Sequence, residues 1–246
     1  MEPTSVEMAG ASRPDATLRR FLRGCRLGLP IFLGYAPLGV AFGVLARSIG
    51  FSVFDAVACS ATALAGAGQF IALSLLGSGA GVASALVATT VVNLRYVLFA
   101  TTLAPRLAGV RVPTLAWLGF TLTDETFAVN IADLRQGEAT PASMAGVGLI
   151  AWTGWVAGTL LGAAAAGWIG DPSRLGMQFA MPAMFAALFV ALAEDRRHIA
   201  IGILSGAIAL GLPMLASIGI EIPASWFVVV ASVSAATIAA WAVKDA

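Results

Sequence analysis

Long apolar runs dominate this chain, and they leave few folds open to it. They lie near residues 27–47, 54–77, 80–104, 114–132, 143–169, 176–193, 198–218 and 224–243. Each approaches or exceeds the ~20 residues a helix needs to cross ~30 Å of hydrocarbon. Charged residues make up only 11% of the 246, and apolar residues 59%. A soluble domain carries roughly 25% charged residues, so lipid is the solvent that fits. In lipid every backbone N–H and C=O must be satisfied internally, which leaves helices or closed barrels. Barrel strands would alternate polar and apolar residues, whereas these runs are unbroken. The expected fold is therefore all-α, a polytopic membrane protein of seven or eight transmembrane helices. The count stays open because Asp124 and Glu125 fall at the middle of the fourth run.

The separators suit a bilayer boundary: Arg47 to Gly50, Gly77-Ser78-Gly79, Pro105 to Pro113, Arg135 to Glu138, Asp171 to Arg174, Glu194 to His198, and Glu221-Ile222-Pro223. Residues 1–26 are polar and read as a flexible cytoplasmic tail, leaving 27–246 as a single transmembrane domain. Arg19, Arg20 and Arg23 precede the first run, which is read as a retained helix rather than a cleaved signal. With eight spans and the N-terminus inside, nine Lys and Arg fall on the inner side and four on the outer. That asymmetry expects a cytoplasmic N-terminus in a bacterial inner membrane. The net charge of +1 implies no polyanionic partner such as nucleic acid. Cys25 and Cys59 stand in unrelated settings, and with one histidine they suggest neither a disulfide framework nor a metal site. No nucleotide-binding motif or cofactor signature is present.

Small residues recur four apart at Gly39 and Gly43, at Gly154, Gly158 and Gly162, and at Gly202 and Gly206. Such faces let helices approach closely in lipid, within one subunit or against a partner. Pro30 and Pro37 bracket Gly34 in the first run, where they expect a broken helix near a binding site or a harmless kink. Met181-Pro182 and Gly211-Leu212-Pro213 are lesser candidates for a break.

Polar groups inside the runs are the candidate site, because a buried charge persists only where it pairs or meets water. Arg95 lies well inside the third run. It can hold Asp124 or Glu125, bind a substrate carboxylate, or snorkel to the interface. Asn93 is two residues away and, on an ideal helix, would point elsewhere. Asp124 and Glu125 are adjacent and would diverge by ~100°. One can neutralise Arg95 while the other carries a proton through a transport cycle, or both can be hydrated at a boundary. Gln69, among small residues in Ala65-Gly66-Ala67-Gly68-Gln69-Phe70, suits a ligand headgroup or an interhelical bond. Asn130 and Gln178 are weaker candidates, and Asp55 and His198 lie near span ends.

Four stretches, in order, resemble the AzlC family, the large subunit of bacterial branched-chain amino-acid exporters. They are Tyr35-Ala36-Pro37-Leu38-Gly39-Val40-Ala41-Phe42-Gly43, Ala65 to Phe70, Asn93-Leu94-Arg95-Tyr96 through Pro105, and Thr123-Asp124-Glu125-Thr126-Phe127-Ala128. The resemblance spans about residues 25–220. The family commonly has His where Tyr96 stands, and often Phe where Leu38 stands. Tyr96 keeps an aromatic ring and a hydrogen-bonding tip but does not titrate near neutral pH. The resemblance implies a small AzlD-like membrane subunit as partner. It also implies export of leucine, isoleucine or valine driven by the proton-motive force.

The leading expectation is a secondary exporter of hydrophobic amino acids, with Gln69, Asn93, Arg95, Tyr96, Asp124 and Glu125 binding substrate or coupling ion. One alternative is a structural or assembly subunit whose partner carries transport. Another is an intramembrane enzyme using Asp124 and Glu125, although adjacent residues on one helix do not face each other.

Overall fold

A computed structural model describes residues 14–169 and 196–214, with the isolated positions 179, 183, 186, 190, 231, 234, 235, 237 and 238. The runs expected near 176–193 and 224–243, together with Gln178 and Met181-Pro182, lie almost wholly outside the described residues, as does the side chain of His198. All described elements are helical. They are α1 (Pro14–Ser48), α2 (Val53–Thr62), α3 (Gly66–Gly77), α4 (Val82–Asn93) and α5 (Arg95–Leu103) with a 3₁₀ turn at Ala104–Leu107, then α6 (Val112–Phe120), α7 (Asp124–Arg135), α8 (Pro141–Ile169) and α9 (Arg196–Gly211).

The expectation of seven or eight membrane-crossing helices is overturned. Among the described residues three helices are long and apolar enough to cross a bilayer: Asp15–Ser48, Val82–Leu107 and Pro141–Ile169. Two expected spans are each split into short helices. The run at 54–77 becomes α2, of 10 residues, and α3, of 12. The run at 114–132 becomes α6, of 9 residues, and α7, of 12. At 1.5 Å per residue each piece rises about 14–18 Å, roughly half the hydrocarbon thickness.

Neither split is made by proline. Ala63 and Ala65 take φ −139° and −140°, which ends α2 and opens α3. Thr123 takes φ −129° and ψ 177°, and starts α7 through a capping box with Thr126. Irregular backbone at membrane depth is tolerated only where protein covers it or it lines a cavity, and at the second split it is satisfied locally. The Thr126 hydroxyl donates to Thr121 O at 2.9 Å and accepts from Thr123 N–H at 2.8 Å. At the other split the Trp152 indole donates to Ala61 O at 3.1 Å, capturing a carbonyl in the last turn of α2.

Pro30 and Pro37 do not break α1, which runs unbroken for 35 residues. The reason is its partner. α1 lies along α8 in the most extensive helix pairing described, and their glycines remove the bulk between the backbones. A Cβ at Gly158 would fall on the Ala36 carbonyl oxygen, one at Gly162 on that of Val40, and one at Gly43 on that of Thr159. The glycine stripes at Gly39/Gly43 and Gly154/Gly158/Gly162 are thus packing within the chain, where dispersion between close backbones stabilises association in lipid.

α1 also takes in residues 14–26, expected as flexible tail. Gly24 packs against the Ser143 backbone at the start of α8. Arg23 grips Asp133 on α7 with Nη1 to Oδ2 at 2.8 Å and Nη2 to Oδ1 at 2.5 Å, and it reaches Glu138 at 2.5 Å. These contacts hold the segment in helix despite its polar composition. The core between α1, α3 and α8 is aromatic: Tyr35, Phe42, Phe70 and Trp155 meet with ring centroids 5.5–6.2 Å apart. The Val82–Leu107 rod, by contrast, leaves Leu86, Val87, Val97 and Leu98 exposed, an apolar surface suited to lipid or another protein.

Candidate functional site

The two splits converge. The first turns of α3 and α7, the start of α5, and the mid-portions of α1 and α8 enclose one small cleft. It is lined by Tyr35, Gly66, Ala67, Arg95, Tyr96, Thr123, Asp124, Glu125 and Trp155. Both tyrosines of the chain take part. The space holds little more than a water molecule, so an amino acid enters only if the lining moves.

Asp124 and Glu125, which the sequence places mid-span, occupy the first turn of α7. A helix start carries partial positive charge and favours acids, so the new helix explains two carboxylates at this depth. Their side chains diverge to different partners. Asp124 Oδ2 lies 2.9 Å from Arg95 Nη2. Glu125 Oε2 accepts from the Tyr35 hydroxyl at 2.5 Å, and that hydroxyl lies 2.8 Å from Thr123 Oγ1. A hydroxyl has a single proton, so Tyr35 donates to Glu125 and accepts from Thr123. Tyr35 is buried and braced edge-on against Trp155 at 5.5 Å. Arg95 also stacks over the Tyr96 ring, 5.4 Å from its centroid.

Asn93 and Arg95 both reach this region, one on each side of a tightened turn at Leu94 that keeps helical dihedrals within the Val82–Leu107 rod. Leu94 caps α4 and opens α5, with Leu94 N–H to Val91 O at 3.3 Å and Val97 N–H to Leu94 O at 3.0 Å, the tighter i→i+3 pattern. The Asn93 amide packs against Gly68, where a Cβ would sit 2.9 Å from its nitrogen. Gln69 is buried one residue on, and its Nε2 approaches Cys59 Sγ at 3.3 Å. Among the described residues, Gln69 Oε1, Asn93 Oδ1 and Trp155 Nε1 are buried without a hydrogen-bond partner.

Pro30, Gly34 and Pro37 do not join the site. They form one exposed stripe on α1, away from the face that carries Ile31 and Tyr35. Asn130 is buried on α7 outside the cleft lining. Asp55 caps α2 with Ser52, at the surface. Sequence reasoning missed the roles of Tyr35, Thr123 and Trp155. A signal did exist for Thr123: a hydroxyl three residues before a second hydroxyl, with acids between, is a helix-start pattern. Tyr35 and Trp155 have no such local mark. Among the described residues no group of three or more His, Cys, Asp or Glu is arranged to hold a metal ion.

Comparison with known proteins bears on this arrangement. The family model described as AzlC protein matches residues 30–169, which contain every residue of the cleft. The inner membrane protein YgaZ of Escherichia coli is 30% identical over 212 residues, covering 81% of this chain and 86% of that protein. A membrane protein of Archaeoglobus fulgidus is 31% identical over 204 residues, covering 81% and 89%. The branched-chain amino acid transport protein AzlC of Bacillus subtilis is 29% identical over 163 residues, covering 66% and 63%. No solved structure matches at a significant level.

Proposed function

Because the chain belongs to the AzlC family of membrane transport proteins, we propose that it is the large subunit of a secondary exporter of branched-chain or other hydrophobic amino acids. In this reading it is driven by the proton-motive force, works with a small AzlD-like membrane subunit, and lies in the bacterial inner membrane with a cytoplasmic N-terminus. The observation that carries the reading is the meeting of two split helices at a cleft holding Arg95, Asp124 and Glu125. Discontinuous helices that expose backbone ends beside buried charge are how many secondary transporters hold solute and ion. The name of the Bacillus subtilis relative supports the substrate class.

The two acids divide the work. Asp124 is committed to Arg95 at 2.9 Å, a pair that fixes α5 against α7. Glu125 is held by the neutral Tyr35 hydroxyl, so it can take up or release a proton without breaking an ion pair. Movement of Tyr35 would at once free Glu125 and disturb Thr123, the cap of α7. Proton occupancy is thereby linked to the geometry of a half-helix. The aromatic and small walls of the cleft suit an aliphatic side chain, with few polar groups to orient the rest.

The test is efflux from cells loaded with a leucine-containing dipeptide. Deleting the gene for this chain slows leucine efflux, and supplying it with its small partner restores the rate. Unchanged efflux of every amino acid in the deletion strain overturns the proposal.

A further inference from the structure

The two helix starts that face the cleft are chemically opposite. That of α7 is satisfied within the chain: Thr123 and Thr126 exchange cap hydrogen bonds, and Asp124 and Glu125 stand in the first turn against the positive end of the helix. That of α3 is bare. Its N-cap, Ala65, has no side chain to accept a hydrogen bond, and its first turn holds no acid. The first rung of the ladder is Gln69 N–H to Ala65 O at 2.9 Å. The N–H groups of Gly66, Ala67 and Gly68 therefore point out of the helix end with no intrahelical acceptor. Gly66 and Ala67 line the cleft, and Ala67 and Gly68 are buried.

A second observation on a different helix points the same way. Trp155 of α8 lines the same cleft at 1% exposure, and its Nε1–H has no acceptor among the described residues. Buried donors are rarely left unpaired, because the loss of water is not repaid. Gly66 lies against the benzo edge of the Trp155 ring, where a Cβ would sit 3.0 Å from Cη2, so the indole ring and the start of α3 are neighbours in the cleft wall. Across the cleft stand acceptors, the carboxylates of Asp124 and Glu125.

We infer that the bare start of α3 and the Trp155 indole form the subsite for the carboxylate of an α-amino acid, with its ammonium directed to the acids of α7. The inference rests on the transport reading above and assigns polarity within that site. Helix starts bind anions through free N–H groups and the positive end of the dipole. Arg95, the obvious carboxylate receptor from sequence, is already engaged by Asp124. The site thus selects a zwitterion with two poles on two half-helices, and its arginine is structural.

The test uses the full chain in lipid nanodiscs and two probes: leucine, and 3-methylbutylamine, which keeps the side chain and ammonium but lacks the carboxylate. Wild type prefers leucine. Trp155→Phe weakens leucine binding about tenfold, the worth of roughly one hydrogen bond to a charged group, and leaves 3-methylbutylamine unchanged. Because Trp155 also packs on Tyr35, Phe42 and Phe70, the same measurement is made with Trp155→3-benzothienylalanine, which keeps the bicyclic shape and removes the N–H. Equal weakening of both probes in that variant overturns the subsite, as does a wild type that does not distinguish them. In either case the export reading still stands on cellular efflux. A wild type that binds no amino acid, with efflux unchanged on deletion, overturns both.

Discussion

Removing either partner of the Arg95–Asp124 pair tests whether it is a brace between α5 and α7. The charges approach to 2.9 Å, with side chains retaining 26% and 12% of their exposure. At an effective dielectric of about 20, unit charges at that separation attract by roughly 6 kcal/mol before desolvation. Desolvation offsets much of this, and breaking a fully buried pair costs about 3–5 kcal/mol because one charge is stranded. Partial exposure here reduces that to about 2–3 kcal/mol for each of Arg95→Gln and Asp124→Asn. The double variant strands neither charge, so its cost falls short of the sum by about 2 kcal/mol. Equilibrium unfolding of the four proteins in mixed micelles gives the coupling directly. Costs that add to within about 0.5 kcal/mol would refute the brace. Efflux adds a second readout: if Arg95 only braces, the double variant recovers transport in step with stability.

Three further outcomes are expected. Glu125→Gln abolishes leucine-driven proton movement in proteoliposomes and slows leucine exchange only in part, because Asp124 still stands at the start of α7 to face the ammonium; proton movement that persists in this variant would count against the assignment. Gly158→Ala forces α1 and α8 apart, since its Cβ falls on the Ala36 carbonyl oxygen, and lowers stability by about 1–3 kcal/mol. Gly167→Ala, with nothing within 4 Å of the new Cβ, instead gains up to about 1 kcal/mol from helix propensity; thermal unfolding separates the two. Arg23→Ala strands the buried Asp133 and costs about 2–4 kcal/mol, and Arg23→Lys recovers only part because a point charge cannot span both carboxylate oxygens; limited proteolysis of the residue 14–26 segment reports the loss.

Much of the site was legible residue by residue. Arg95, Asp124 and Glu125 stood out because charge in an oily run is costly, and all three line the cleft. What misled was the assumption that an apolar run of span length is one helix. The 54–77 run contains no proline, yet it splits at Ala63 to Ala65, while the run that holds Pro30 and Pro37 stays whole. A proline removes one donor and adds a local clash. The long α1–α8 contact outweighs that, and no local pattern reports a partner helix 100 residues away. The helical state of residues 14–26 has the same origin. The segment's polarity is compensated by Asp133 and Glu138, which only folding brings to Arg23.

Composition and run length, without any coordinates, settle that this chain is helical and lives in lipid, since its few charges cannot build a watered surface and its unbroken runs cannot alternate as barrel strands do. Where those helices stop is decided by tertiary packing. Glycine contacts between α1 and α8, the Trp152 indole at Ala61 and the hydroxyls around Thr121 hold backbone that a lone span could not leave unsatisfied. Only that packing brings a bare helix start, an indole and two acids from distant segments around one cleft, because side chains far apart in the chain become neighbours only when helices meet.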